Sequence, residues 1–209
     1  MSSPDISLLD SLPLIAILRG LTPPDAVAIG EALVDAGFLC LEVPLNSPDP
    51  LTSISRLRQA LDGRALVGAG TVLTAEDARN VADAGGQLAI SPNTDVGVIA
   101  AAKSHGLLSL PGFFTPSEAF SALAAGADGL KLFPAELSGP AGLRAMRAVL
   151  PGSTRVYAVG GVSPDTVPAW VGAGASGFGI GTSLYRPGQD VDTTRSAAAR
   201  FVSAWTTAQ

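Results

Sequence analysis

At 209 residues the chain is long enough for one domain with a sizeable core and short for two. Its 47% hydrophobic and 15% charged content excludes a disordered polymer. A net charge of -5 without any basic run excludes a nucleic-acid surface, and a single cysteine, Cys40, excludes both a disulfide framework and a cysteine-cluster metal site.

The N-terminal stretch MSSPDISLLDSLPLIAILRG has no basic leader region. Its apolar run from Leu12 to Leu18 is too short to span a bilayer and is interrupted by Pro13. Residues 1–12 are expected to be an extension or a short helix, and the chain to be cytoplasmic with no membrane partner. A first strand is predicted within Leu12–Gly20, followed by a helix from Pro23 to Ala36 with Thr22 as its N-cap.

From there a glycine recurs before each short apolar run. Gly37 precedes LCLEV, Gly63 ALVGA, Gly85 QLAIS, Gly106 LLSL, Gly126 DGLKLF, Gly152 RVYAV and Gly174 SGFGIG, at gaps of 26, 22, 21, 20, 26 and 22 residues. That is the length of one helix, one strand and two short loops. Each glycine is expected in the left-handed conformation that ends a helix. Thr74 with Asp77 and Thr115 with Glu118 have capping-box spacing at two helix starts. The apolar runs lack polar alternation, as parallel strands covered by helices do. Eight uninterrupted βα units predict an α/β fold, a single-domain (β/α)8 TIM barrel over residues 1–209, rather than an open doubly wound sheet. No GxGxxG follows the first strand.

In a barrel the reacting groups come from the C-terminal strand ends. Those ends carry Arg19-Gly20, Glu42 with Asn46-Ser47, Gly70-Thr71, Ser91-Pro92-Asn93, Pro111-Gly112-Phe113, Lys131 with Phe133-Pro134, Gly160-Gly161 and Gly181-Thr182-Ser183. Lys131 lies within the apolar GLKLF, where an ammonium group is costly unless it is paired or functional. Desolvation favours its neutral amine, a nucleophile toward carbonyls; a structural ion pair is the competing reading. Glu42, inside LEVP, has the same character and suits a general base or a partner for the lysine. Arg19 could grip a carboxylate or phosphate, or form a loop salt bridge. The turns Gly160-Gly161 and Gly181-Thr182-Ser183 end strands seven and eight, where barrels commonly bind phosphate through backbone N–H groups. Cys40 reads as a small core side chain, and His105 as a helix-end residue on the opposite, stability face. With one histidine and no acidic cluster, neither a metal nor another cofactor is expected.

The stretches PLIAILRG (13–20), EVPLNSP (42–48), GAGTV (68–72), SPN (91–93), LKLFP (130–134) and AVGGV (158–162) together resemble the KDPG/KDPGal aldolase family, in order and over essentially the whole chain. The resemblance implies a lyase that cleaves a phosphorylated 2-keto-3-deoxy sugar acid to pyruvate and glyceraldehyde 3-phosphate. It implies Lys131 as the Schiff-base residue and Glu42 as the proton acceptor. It further implies Arg19, Thr71, Pro92 and Phe133 as substrate contacts, with Gly160, Gly161, Gly181, Thr182 and Ser183 around the phosphate. A homotrimer and a place in galactonate catabolism follow from the same likeness. Gluconate-type members typically carry an arginine four residues after the glutamate; Asn46 stands there, which points to the galactonate type, with the gluconate epimer or both as the alternative. A phosphate-binding epimerase or synthase, or a non-catalytic sugar-phosphate sensor, are the other readings the barrel allows.

Overall fold

In the computed structural model, Pro4 and residues 6–209 are described; Met1–Ser3 and Asp5, part of the expected extension, lie outside the described residues. A short helix, α1 (Ser7–Ser11), leads into β1 (Leu14–Ile17) and α2 (Pro23–Asp35). The alternation continues with β2 (Cys40–Pro44), α3 (Pro50–Ala60), β3 (Leu66–Gly70), α4 (Ala75–Asp83), β4 (Leu88–Ile90) and α5 (Val96–Ser104). Then come β5 (Leu108–Leu110), β6 (Gly112–Phe113), α6 (Pro116–Ala124), β7 (Leu130–Leu132), α7 (Ala135–Arg147) and β8 (Val156–Val159). A 3-10 turn (Pro164–Thr166), α8 (Val167–Gly172), β9 (Gly177–Ile180) and α9 (Val191–Thr207) complete the chain.

All strand pairs are parallel, in the order β5-β4-β3-β2-β1-β9-β8-β7-β6. The expected fifth strand is split into β5 and β6 by Pro111, which has no N–H to donate to a ladder. β5 pairs with β4 and β6 with β7, so one chain segment joins the two ends of the sheet. Asp128 N donates to Ser109 O at 3.0 Å and Lys131 N to Pro111 O at 2.9 Å across that junction. The sheet is therefore the expected α/β barrel.

Six of the recurring glycines, Gly37, Gly63, Gly85, Gly106, Gly126 and Gly174, have the expected positive φ. Gly152 does not; it lies in the turn after Pro151, beyond the end of α7. Capping boxes form at Thr74–Asp77 and Thr115–Glu118. Thr22 makes no cap bond and donates its hydroxyl to Asp25 Oδ2 at 2.6 Å instead.

The main core lies between the strands and the helices that cover them. A second cluster fills the barrel itself: Ile15, Cys40, Leu66, Leu88, Leu108 and Tyr157, with Leu9 of α1 packed among them. α1 is held there by a bidentate pair, Arg155 Nε and Nη2 to Asp10 at 2.7 and 2.8 Å. The lower barrel is thus an apolar plug, and burial pushes the Cys40 thiol pKa up, as suits a core side chain. The buried charges, Glu42 and Lys131, lie in the layer above it.

Candidate active site

Glu42 is the third residue of β2 and Lys131 the second of β7. Both side chains enter the barrel mouth, lining a cleft of about 450 Å³ together with Arg19, Thr71, Pro92 and Phe133. Gly160, Gly161, Gly181, Thr182 and Ser183 line the same cleft. Every residue expected at a site from the sequence is thus brought into one cavity. His105 caps the far end of α5, away from it.

The two charged groups are almost fully enclosed, Glu42 at 2% exposure and Lys131 at 8%. Burial lowers the Lys131 pKa, with the Glu42 charge opposing the shift and Arg19 adding to it. Burial raises Glu42 to about 7, while Lys131 and Arg19 pull it back. Glu42 Oε2 has no hydrogen-bond partner. The Lys131 ammonium position lies 4.9 Å from the centre of the Phe133 ring, a cation–π contact that uses no acceptor. No direct ion pair joins the lysine and the glutamate, so the structural-pair reading of Lys131 is not what the geometry shows. An amine biased toward its neutral form stands near a carboxyl group able to take or give a proton near pH 7.

The rim is set by cross-strand ties. Arg19, exposed at the end of β1, donates Nη1 to Asn46 Oδ1 at 2.5 Å, and Gly20 N donates to Ser47 Oγ at 3.0 Å. Arg19 is held by an amide and not by a loop salt bridge. Ser91 Oγ reaches Val72 O at 2.7 Å and Thr94 Oγ1 reaches Gly112 O at 2.7 Å, fixing the loop that carries Pro92 between β3 and β6. Thr71 has φ of 58°, a costly conformation for a β-branched residue, at the point where it enters the cleft.

At the phosphate-type turns, Leu184 N and Tyr185 N both donate to Gly181 O, at 2.8 and 3.0 Å, so the segment curls into a single helical turn. Among the described residues, no acceptor meets the N–H groups of Gly161, Thr182 or Ser183. Unpaired N–H groups on two adjacent turns are donors that an anion could accept together. One sequence expectation is refined here: the Ser183 hydroxyl donates to Val162 O at 3.0 Å, tying the two turns together. It leaves the backbone as the free donor.

Sequence reasoning missed Tyr185 and Pro187, which also line the cleft. Their signal was weak, because their roles depend on neighbours far along the chain. Among the described residues, no group of three or more His, Cys, Asp or Glu side chains gathers as a metal site requires. No helix among them is long and apolar enough to cross a membrane.

Comparison with known proteins settles the family. The model of the KDPG and KHG aldolases matches residues 6–197. The chain belongs to that family. It is a member of a group of aldolases, which are carbon–carbon lyases. It is 48% identical to the 2-dehydro-3-deoxy-6-phosphogalactonate aldolase of Escherichia coli K12 over 93% of this chain and 95% of the relative. It is 47% identical to the probable enzyme of that name from Rhizobium meliloti over 92% and 91%. A solved structure described as native KDPGal superposes with a TM-score of 0.93 at 48% identity, covering 94% of this chain and 96% of that one.

Proposed function

We propose that this aldolase-family member works as a class I, lysine-imine aldolase on 2-dehydro-3-deoxy-6-phosphogalactonate, releasing pyruvate and glyceraldehyde 3-phosphate. The observation that carries the proposal is the enclosed Lys131–Glu42 arrangement at the mouth of one cleft, with the unpaired N–H cradle in the same cavity. The galactonate type is supported by Asn46 and by the names of the two relatives above.

The neutral Lys131 amine adds to the C2 ketone; the carboxylic acid of Glu42 gives its proton to the hydroxyl that leaves as water, and a protonated imine stands beside the Glu42 carboxylate. Glu42 takes the proton of the C4 hydroxyl; the C3–C4 bond breaks, its electron pair passes to the imine, and glyceraldehyde 3-phosphate departs. The resulting enamine is protonated at C3 by the carboxylic acid of Glu42. Hydrolysis then frees pyruvate and the neutral amine and returns the released proton to the Glu42 carboxylate. The imine is the electron sink, so the chemistry needs no metal. The N–H groups of Gly161, Thr182 and Ser183 hold the phosphate, and Arg19 faces the carboxylate, fixing the pose remote from the reacting bond.

A cytoplasmic homotrimer acting in galactonate catabolism completes the proposal. Its oligomeric part is supported by exposed Leu73, Val96, Phe114, Phe120 and Leu137, all in the loops or helices that follow β3, β4, β6 and β7. The functional test is pyruvate release from the two C4 epimers offered separately. Preferential turnover of the galactonate epimer is expected; turnover of neither overturns the assignment, and preference for the gluconate epimer reverses the subtype.

A further inference from the structure

β3 ends in an inversion of the usual rule for glycine. Thr71 occupies the left-handed region at φ of 58°, where glycine is the ordinary choice, while Gly70 beside it has no positive φ and needs no such freedom. Gly70 is buried at the last position of β3, paired with Pro44 of β2. A buried glycine in a paired strand offers no side chain to pack, and often marks a close approach by another group.

The approaching group is the reactive carboxyl. A Cβ on Gly70 would fall on Glu42 Oε2, Cδ and Oε1, the entire head of that side chain. Glu42 is opposite Gly68 in the β2–β3 register, so its side chain climbs two residues along the neighbouring strand to reach the level of Gly70. Gly68 serves a different purpose, since a side chain there would run into the backbone of Leu88 on β4.

We infer that Gly70 is a positioning residue: the space left by its missing side chain seats the Glu42 carboxyl against the barrel wall, at the height from which it serves the bond-breaking step. The inference rests on the proton-transfer role proposed for Glu42. A methyl group at position 70 pushes the carboxyl off the wall into the cleft, while Lys131 keeps its place on β7.

The test is a double-mutant cycle of Gly70→Ala and Glu42→Asp, the aspartate ending one methylene lower and clear of the methyl. Three quantities are read: kcat on 2-dehydro-3-deoxy-6-phosphogalactonate, borohydride-trapped imine with pyruvate, and the thermal midpoint. Gly70→Ala is expected to lower kcat at least about tenfold in the presence of Glu42 with imine trapping retained, and by under roughly threefold in the Glu42→Asp background. Equal losses in both backgrounds, or no loss in either, overturn the inference. If Gly70→Ala unfolds and the double variant folds, the same seating is shown through stability; if both unfold, the backbone and not the space is what matters, and the inference falls. Near-normal turnover of Glu42→Gln would instead remove the proton-transfer role itself, a separate result.

Discussion

Glu42 and Lys131 each oppose the other's desolvation at the barrel mouth. The lysine pulls the buried carboxyl down and the carboxylate pulls the buried ammonium up, yet burial is the larger cause for both. Glu42 accordingly stays near 7, far above its ordinary 4.5. A pair shifted in this way by desolvation suits proton transfer at neutral pH better than stabilisation of the fold.

Glu42→Gln should therefore retain imine formation and slow cleavage by about 10²–10⁴-fold, the usual scale of general acid–base help. Stopped turnover combined with intact borohydride trapping by pyruvate is the expected pattern; near-normal turnover excludes Glu42 from the step.

The same group predicts a stability effect. Its folded pKa is raised above the unfolded value, so the native state binds the proton more tightly and loses stability as pH rises from 4.5 toward 7. Glu42→Gln removes that loss, a gain of about 3 kcal/mol at most at pH 8, part of it offset because Lys131 loses its countercharge. Thermal melts should show the variant ahead at pH 8 and level with wild type below pH 4.5. A variant less stable at pH 8 would contradict the desolvated carboxyl.

Asn46 holds Arg19 at 2.5 Å, and Arg19 is otherwise exposed. Asn46→Ala should raise KM about tenfold, roughly one charge-assisted hydrogen bond, with kcat little changed. A fall in kcat at constant KM would place Arg19 in the chemical step instead.

Ser183→Asp sets a carboxylate beside the unpaired N–H groups of Thr182 and Ser183. KM for the phosphorylated substrate should rise far more than the concentration of pyruvate needed to trap the imine. Equal effects would contradict the phosphate assignment.

Leu137, 74% exposed, and Phe120, 46% exposed, should be covered in the proposed homotrimer. Phe120→Asp with Leu137→Asp should shift the sedimenting species toward monomer, and an unchanged trimer would move the interface elsewhere.

The barrel was legible because a helix ending at a left-handed glycine leaves that glycine at a fixed period; Gly37, Gly85, Gly106, Gly126 and Gly174 directly follow a helix C-cap in that conformation, and Gly63 adopts it two residues past the cap of α3. Gly152 breaks it, since α7 stops five residues earlier and the loop turns at Pro151. The split of the fifth strand was hidden because Pro111 can serve as an acceptor while lacking a donor, so pairing survives on one side at a time. Lys131 and Glu42 stood out as charges in apolar strands. Gly70 did not, because its reason is a side chain on another strand that climbs past it. Ser183 was found by position, but its hydroxyl bond to Val162 lies 21 residues away in sequence and follows only from the closed ring.

The most direct measurement is borohydride reduction in the presence of pyruvate, followed by peptide mass mapping of wild type and Lys131→Met. A pyruvyl adduct on the peptide carrying Lys131, absent from the variant, is the predicted result. No adduct on wild type, or one on another lysine, would contradict the imine mechanism and leave the barrel with a different chemistry.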